Sequence, residues 1–447
     1  MKRKIALLLA ALLLAAAGTA NASAGSARYT QDGKRIIAMG TWYSQFYFSK
    51  HTAIADDPKL AFPETAQMRL DNMRRIEEKH NIILEHVNLT FEGVQESMHV
   101  SIPEGMPDVD VYEVDLQFGI PAVMEGYAVS LEEMGLSDSD VFTEQKVMQH
   151  LKLPGQNESY LFSPAATGGI NAYVLAFNMD MIREAGLENP QNLYDRGEWT
   201  WDAWLSYLKK LTKDIDGDGI IDIYGYSGYW THMLRNLLFS NGATIAAGPK
   251  ETMTSPETQE VLTFVDDLYN EDKVARPWDG SNWDINNSLY AAGLSAFWVG
   301  ADWLFDEQGG QGLPFEIGVV PWPCGPSGNP DTNSHSQPSG NWYFIPVGAA
   351  EPRLVYDVLF DWFNWYDGDL SVGVDMKWAQ NMYMTDRNFA YAAMMDAKPG
   401  FDLWENLGVS FDLWPLLNDE SSPAEITLEM APKYQEALDQ YFMRSTQ

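Results

Sequence analysis

Apolar positions along this chain alternate between short continuous runs and stretches with helical spacing. RIIAMGTWY, residues 35–43, reads as a buried strand that breaks at Gly40 into an aromatic loop. Residues 64–79 place Leu70, Met73 and Ile76 on one helical face, and 82–89 is the next strand. DVDVYEVD, 108–115, is a strand ending in LQFG, and 121–151 reads as helical with breaks at Gly126 and Gly135. YLFSPAATGGINAYVLAF, 160–177, holds two apolar strands around a small-residue centre, which suits a crossing between lobes. Helices are expected at 178–185, 233–240, 255–269, 354–366 and 424–442, and strands at 294–299, 315–323 and 342–347. The Gly/Pro/Ser/Asn stretch 324–340 is expected to be the least ordered loop. Alternating helices and strands of this kind predict α/β layers with a crevice at the strands' C-terminal ends.

The densest stretch is WTWDAWLSYLKKLTKDIDGDGIIDIYGYSG, 199–228. Thr200 is a candidate N-cap, and Asp202 in the first turn and Lys209, Lys210 and Lys213 at the end complement the helix dipole. Trp201, Trp204, Leu205, Leu208 and Leu211 fall on one face. Directly after comes an acidic loop, 214–222. Asp214, Asp216, Asp218, the Ile220 carbonyl and Asp222 match positions 1, 3, 5, 7 and 9 of an EF-hand loop, with Gly219 at the turning position 6. Repulsion among four carboxylates would be relieved by a hard dication, so calcium is the expected structural cofactor. Position 12, a bidentate Glu in EF-hands, is Gly225 here, and no second helix follows; an Asp/Gly turn without metal is the competing reading.

Residues 1–24 have the form of a secretory signal: Lys2, Arg3 and Lys4, an apolar run, then small residues before the cut. The run is short for a membrane span, and no later run is long and apolar enough, so an exported protein is expected, periplasmic or extracellular. The ~420 residues that remain suit two or more domains. Acidic residues number 63 against 29 basic, which disfavours nucleic acid and anionic membranes as partners. The single cysteine, Cys324, permits no internal disulfide, reads as incidental, and lies far from the signal's end, so no lipidation cysteine is expected there. Aromatics make up 13% of the chain; most belong to cores, and composition alone does not decide whether a surplus forms flat platforms for sugar rings.

Six blocks in order resemble the family 1 extracellular solute-binding proteins of ABC importers. They are PDVDVYEVDLQFGIPAVMEGYAVSLEEM, YVLAFNMDMIREAGLENP, EWTWDAWLSYLKKLTKDIDGDG, GLSAFWVGADW, FEIGVVPWPCGP and GNWYFIPVGAAEP. The resemblance spans nearly the whole chain after the signal. It implies a two-lobed periplasmic-binding-protein-like α/β fold of the class II type, closing about hinges on a ligand in the cleft between lobes. By motif position, lobe one takes 30–163 and 345–402, and lobe two takes 164–344 and 403–447. Crossings fall near 162–169, 342–348 and 399–412. The implied partners are a carbohydrate, most simply an oligosaccharide, and the importer's membrane permease subunits, which in this family recognise the closed form; the protein is expected to be monomeric.

The same motif positions nominate cleft residues: Trp42 and Tyr43 after the first strand, Asp115 and Gln117 after the PDV strand, and Trp230 and His232 after GYSG. Trp303 after GADW, Trp342 at the second crossing, and Trp378 and Trp414 in the C-terminal part complete the set. Indoles stack on a sugar's C–H face while carboxylates and amides bond its hydroxyls. A Trp at a strand end serves core packing about as often, so each has a structural alternative. A polysaccharide hydrolase or lyase would need a carboxylate pair across the scissile bond. No local pattern singles out such a pair, and no nucleophile elbow, HExxH or P-loop is present, so no catalytic residue is nominated. A calcium-stabilised adhesin lacks its repeats and wall anchor.

Overall fold

The computed structural model describes residues 27–42, 63–136, 152–163, 170, 172–278, 283–307, 312–335, 341–363, 374–403, 406–409 and 413–443. The signal segment and Tyr43 lie outside these residues. Strands in chain order are β1 (Arg28–Tyr29), β2 (Arg35–Thr41), β3 (Ile82–Asn88), β4 (Val111–Val114), β5 (Val174–Asn178) and β6 (Tyr224–Ser227). A small hairpin follows, β7 (Ala246–Ala247) and β8 (Lys250–Glu251), then β9 (Ser295–Gly300), β10 (Ile317–Val320) and β11 (Trp342–Phe344). Helices of the first half are α1 (Pro63–His80), α2 (Phe91–Ser101), α3 (Leu116–Met124), α4 (Met179–Glu184), α5 (Pro190–Asp195) and α6 (Trp201–Leu211). Then come α7 (Trp230–Ser240), α8 (Pro256–Asp266), α9 (Trp283–Ala291) and α10 (Asp302–Glu307). The last are α11 (Pro352–Phe363), α12 (Val374–Tyr383), α13 (Asp386–Asp396), α14 (Trp414–Leu417) and α15 (Pro423–Met443).

Two sheets organise the chain. In the first, β2 is central: β3 lies parallel on one side, β1 and β4 share the other, and β11 closes antiparallel on β4. Its strands read as apolar runs because helices cover them; β2 is buried along almost its whole length. In the second the order is β10-β5-β9-β6, with β6 parallel to β9 and β5 antiparallel to both β9 and β10.

The core of the second lobe is built on Trp204, fully buried, which meets the rings of Tyr226, Phe264, Phe297 and Trp322. Thr200 caps α6 as expected, its hydroxyl accepting the Ala203 N–H. The buried face differs at one position: Tyr207 takes the place given to Leu205, and its hydroxyl reaches the Glu188 carbonyl.

Two expectations are corrected. Of the helical reading of 121–151, residues 137–151 lie outside the described ones, and over 125–136 the helix is absent: it stops at Met124, Gly126 has positive φ, and the chain then bridges to the residues just past β11, with the Val129 N–H donating to the Ile345 carbonyl. The stretch from 324 is not loose as far as His335. Gly325 N–H and the Asn333 amide both donate to the Ser240 carbonyl, Ser327 N–H donates to Asn241, and His335 bridges Pro399. Residues 336–340 lie outside the described ones.

Strand pairing and helix packing tie further segments to the two sheets. Trp342–Phe344 belongs to the first sheet. Helices α12 and α13 pack on α10 and β10 of the second. The reason for the latter is Asn388, which pairs with the edge strand as backbone would: it accepts the Val319 N–H and donates to the Ile317 carbonyl, both at 2.9 Å. Helix α11 stays on lobe one, where Lys79 and His80 of α1 both donate to its Asp361.

Candidate functional site

In the first sheet β2, β3 and β4 run the same way, so Thr41, Asn88 and Val114 end on one edge. The antiparallel β11 starts on that edge, with Trp342 opposite Val114. In the second sheet β6 and β9 end together, at Ser227 and Gly300, and β5 begins beside them, with Val174 opposite Gly300. The linking segments join these two edges. Phe162 and Tyr343 exchange both main-chain hydrogen bonds, so the outgoing and returning strands lie side by side where they meet the first lobe. Ile170, Ala172 and Tyr173 then lead into β5. The two loop-bearing edges therefore face one crevice. Electrostatics agree: burial raises the Tyr173 phenol above its ordinary pKa, and it also senses Arg235 and Asp302 of the second lobe and Asp115 of the first.

On the first lobe, Trp42 is half-buried and meets Phe91 edge-on at 6.4 Å, and Phe91 lies 4.7 Å from Phe118. Phe91 keeps 43% of its surface exposed, which makes it the most open ring of this wall. Asp115 caps α3: one oxygen accepts the Phe118 N–H at 3.3 Å and the other the Gln117 amide at 2.6 Å. Gln117 thus holds the carboxylate in place. Trp342 is packed into the sheet edge with 5% exposure.

On the second lobe, His232 stacks on Tyr173, centroids 3.9 Å apart and planes 20° from parallel, while Tyr229 meets it edge-on at 5.3 Å. Enclosure by these rings, with a smaller contribution from Arg235, brings the His232 pKa down to about 3 and keeps the imidazole neutral. Tyr229 also contacts Trp230, which starts α7, and Trp278. Trp303 is half-buried at the start of α10, its main-chain N–H donating to the Asp302 carboxyl. Burial raises the Asp302 pKa to about 7, and Asp396 adds to the rise.

Trp42, Asp115, Gln117, Trp230, His232, Trp303 and Trp342 are thus gathered along the two facing edges. Trp414 is not. Its helix docks between α8 and α15, where Asn270 donates to the Leu416 carbonyl. The Trp378 side chain and Tyr43 lie outside the described residues. Sequence reading missed Phe91, Phe118, Tyr173, Tyr229 and Trp278. Their only signal was a place next to a strand end, which many buried aromatics share.

In the acidic loop, carboxylate oxygens of Asp214, Asp216 and Asp218 come within 4.8 Å of one another on the exposed surface. Main-chain N–H groups orient them: Gly217 and Gly219 donate to Asp214, Asp218 to Asp216, and Ile220 to Asp218. Asp222 instead accepts the Ile215 N–H at 2.7 Å. Position 12 is closed to any side chain, because a Cβ on Gly225 would sit 2.8 Å from the Leu208 backbone. Three converging carboxylates fit a hard cation, with the remaining ligands left to backbone and water.

Two separate sheets, linked so that their loop edges confront each other across an aromatic crevice, define a two-lobed α/β binding-protein fold of the periplasmic class II kind. Residues 139–367 match the model of the bacterial extracellular solute-binding proteins, and the chain belongs to that family. No curated protein matches it by sequence. Among solved structures it is similar to an ABC substrate-binding protein from Listeria monocytogenes in complex with cycloalternan. That match has TM-score 0.64 and 16% identity, and covers 91% of this chain and 98% of that one. It is also similar to the GacH receptor of Streptomyces glaucescens, solved unliganded and with acarbose, at TM-score 0.65 and 14% identity over 90% of this chain and 98% of that one. A third is UgpB of Mycobacterium tuberculosis in complex with glycerophosphocholine, at TM-score 0.65 and 13% identity over 84% and 96%. Among the described residues no helix is long and apolar enough to cross a membrane.

Proposed function

We propose that this protein is the exported solute-binding component of an ABC importer, capturing a carbohydrate, most simply a neutral oligosaccharide, and handing it to membrane permease subunits. The observation that carries this reading is the pair of facing walls. Trp42, Phe91 and Phe118 stand on one edge, and Tyr173, Tyr229, Trp230 and Trp303 on the other, with Asp115 and neutral His232 as the polar groups beside them. Rings on both sides stack on opposite faces of a sugar, and closure of the lobes removes both faces from water. The cycloalternan and acarbose complexes among its structural relatives support the same ligand class. The glycerophosphocholine complex makes that solute the natural comparison compound.

The protein acts as a monomeric binder and turns nothing over. A thermal-shift and Trp-fluorescence screen with maltotriose, cellotriose, xylotriose and glycerophosphocholine tests this, since a ligand held only by the native state raises the melting temperature. Saturable shifts with an oligosaccharide left intact support the reading. Shifts with glycerophosphocholine alone, or release of new reducing ends, refute it.

Calcium at Asp214, Asp216, Asp218 and the Ile220 carbonyl, with Asp222 reached through water, is proposed as a structural brace between α6 and β6. Chelation should lower the melting temperature and added calcium restore it; a melting curve indifferent to calcium from micromolar to millimolar counts against the site.

A further inference from the structure

Each linking segment meets a buried carboxyl on the lobe where it lands. Asp302 follows directly on β9 and has 5% exposure. Its carboxyl accepts the N–H of Trp303 at 2.8 Å and the N–H of Ile170, where the outgoing segment enters the second lobe. Glu113, in β4 of the first lobe, has 2% exposure. Its Oε1 accepts the Asn341 amide at 2.8 Å and the Tyr343 hydroxyl at 2.9 Å, both from the segment returning to that lobe. The two systems are coupled through one mutual pair, Phe162 with Tyr343, which lays the outgoing segment against the returning one.

This arrangement is more than edge packing. Strand β11 is already held to β4 by ladder bonds, so two further bonds from its side chains to one carboxylate fix the angle at which the chain arrives. Ile170 lies outside the β5 ladder, and the Asp302 bond supplies its N–H with an acceptor inside the second lobe. We infer that Glu113 and Asp302 are positioning residues that clamp the two linking segments, one to each lobe, and thereby set how readily the crevice closes. The inference rests on the solute-binding reading above and names the regulation of that site. A ligand that needs the closed arrangement binds more weakly in proportion as that arrangement is depopulated, so loosening a clamp lowers affinity without touching a crevice ring.

The test uses the full secreted protein and the variants Asp302→Asn, Glu113→Ala and Glu113→Gln. Asn offers one acceptor oxygen to the backbone N–H groups of Trp303, Ile170 and residue 302 itself, so amide exchange at Ile170 should quicken about tenfold while Leu175–Phe177 stay protected. The dissociation constant for maltotriose, cellotriose or xylotriose, whichever binds the wild type, should rise about tenfold, and the sugar-induced fall in radius of gyration should shrink. Glu113→Ala should behave alike. Glu113→Gln, which keeps the accepting oxygen, should stay near the wild type, a rescue that a packing defect would not give. The inference is overturned if exchange at Ile170 rises while affinity and radius of gyration remain within twofold of the wild type. If none of the three sugars binds the wild type, the carbohydrate reading fails, and the clamp is then judged on the ligand-free radius of gyration. A change of that radius in Asp302→Asn and Glu113→Ala upholds the clamp, and no change in either overturns it.

Discussion

Asp302 allows a quantitative prediction about stability. Burial lifts its carboxyl from the usual value of 3.8 to about 7, with Asp396 adding to the rise. A carboxyl raised in the folded state binds its proton more tightly there than in the unfolded chain. Between pH ~4 and ~7 the native state therefore holds the extra proton, and stability falls as pH rises through that window. Below pH ~4 the group is neutral in both states and costs nothing; above ~7 the full cost is present. Three pKa units at ~1.4 kcal/mol each set an upper bound of about 4 kcal/mol, and about 2 kcal/mol is the working expectation after local relaxation. The perturbation is Asp302→Asn, which removes the charge at almost constant shape. Urea unfolding at pH 5, 6, 7 and 8 gives ΔG for both proteins. The variant's stability relative to wild type should improve by about 1–3 kcal/mol between pH 5 and pH 8, since roughly one of the three units is already spent below pH 5, on top of a constant loss from the hydrogen bond it weakens. His86, His232 and His335 act in the opposite sense. Burial lowers their pKa values to about 3, 3 and 4, so their contribution is present above the ordinary histidine pKa and lost as pH falls toward those values. They are common to both proteins and cancel in the difference. A difference that stays flat within about 0.5 kcal/mol from pH 5 to pH 8 would refute the reasoning.

Other outcomes follow from the same geometry. Phe91→Ala removes the most exposed ring of the first wall and should weaken sugar affinity five- to thirtyfold, read by calorimetry, with the melting temperature unchanged within two or three degrees, roughly the effect of a lost aromatic contact. Trp230→Ala and Trp303→Ala should each weaken affinity while leaving the circular dichroism spectrum intact; if both leave it untouched, the second wall is misplaced. Trp204→Ala should cost about 3–5 kcal/mol in urea unfolding, the usual range for deleting a buried Trp in a core that cannot collapse around the gap.

What was legible in the sequence was local. The Thr200 cap and the Trp201/Trp204/Leu208/Leu211 face need only one helix's periodicity, and both are present. What was not legible depended on partners distant in the chain. Residues 324–335 look like a flexible loop by composition, yet Ser240 and Asn241 hold them. The segment after Met124 looks helical until β11, more than two hundred residues later, captures it through Val129 and Ala128. The crevice was half visible for the same reason. Tryptophans in motif positions could be named, but Phe91 and Tyr173 become wall residues only through the register that brings strand ends together. The seating of α13 on β10 depends on Asn388, a single buried amide whose bonds no periodicity discloses.

The pressing of Gly225 against Leu208 has a consequence for what the acidic loop could become. EF-hand sensors open and close by drawing a twelfth-position carboxylate toward the ion, and that lever moves a helix. Here the lever's seat is occupied by the main chain of a neighbouring helix, so an added glutamate would prise β6 off its support before it reached any cation. Attempts to engineer this protein into a calcium-gated carrier should therefore leave that corner alone and graft the trigger elsewhere.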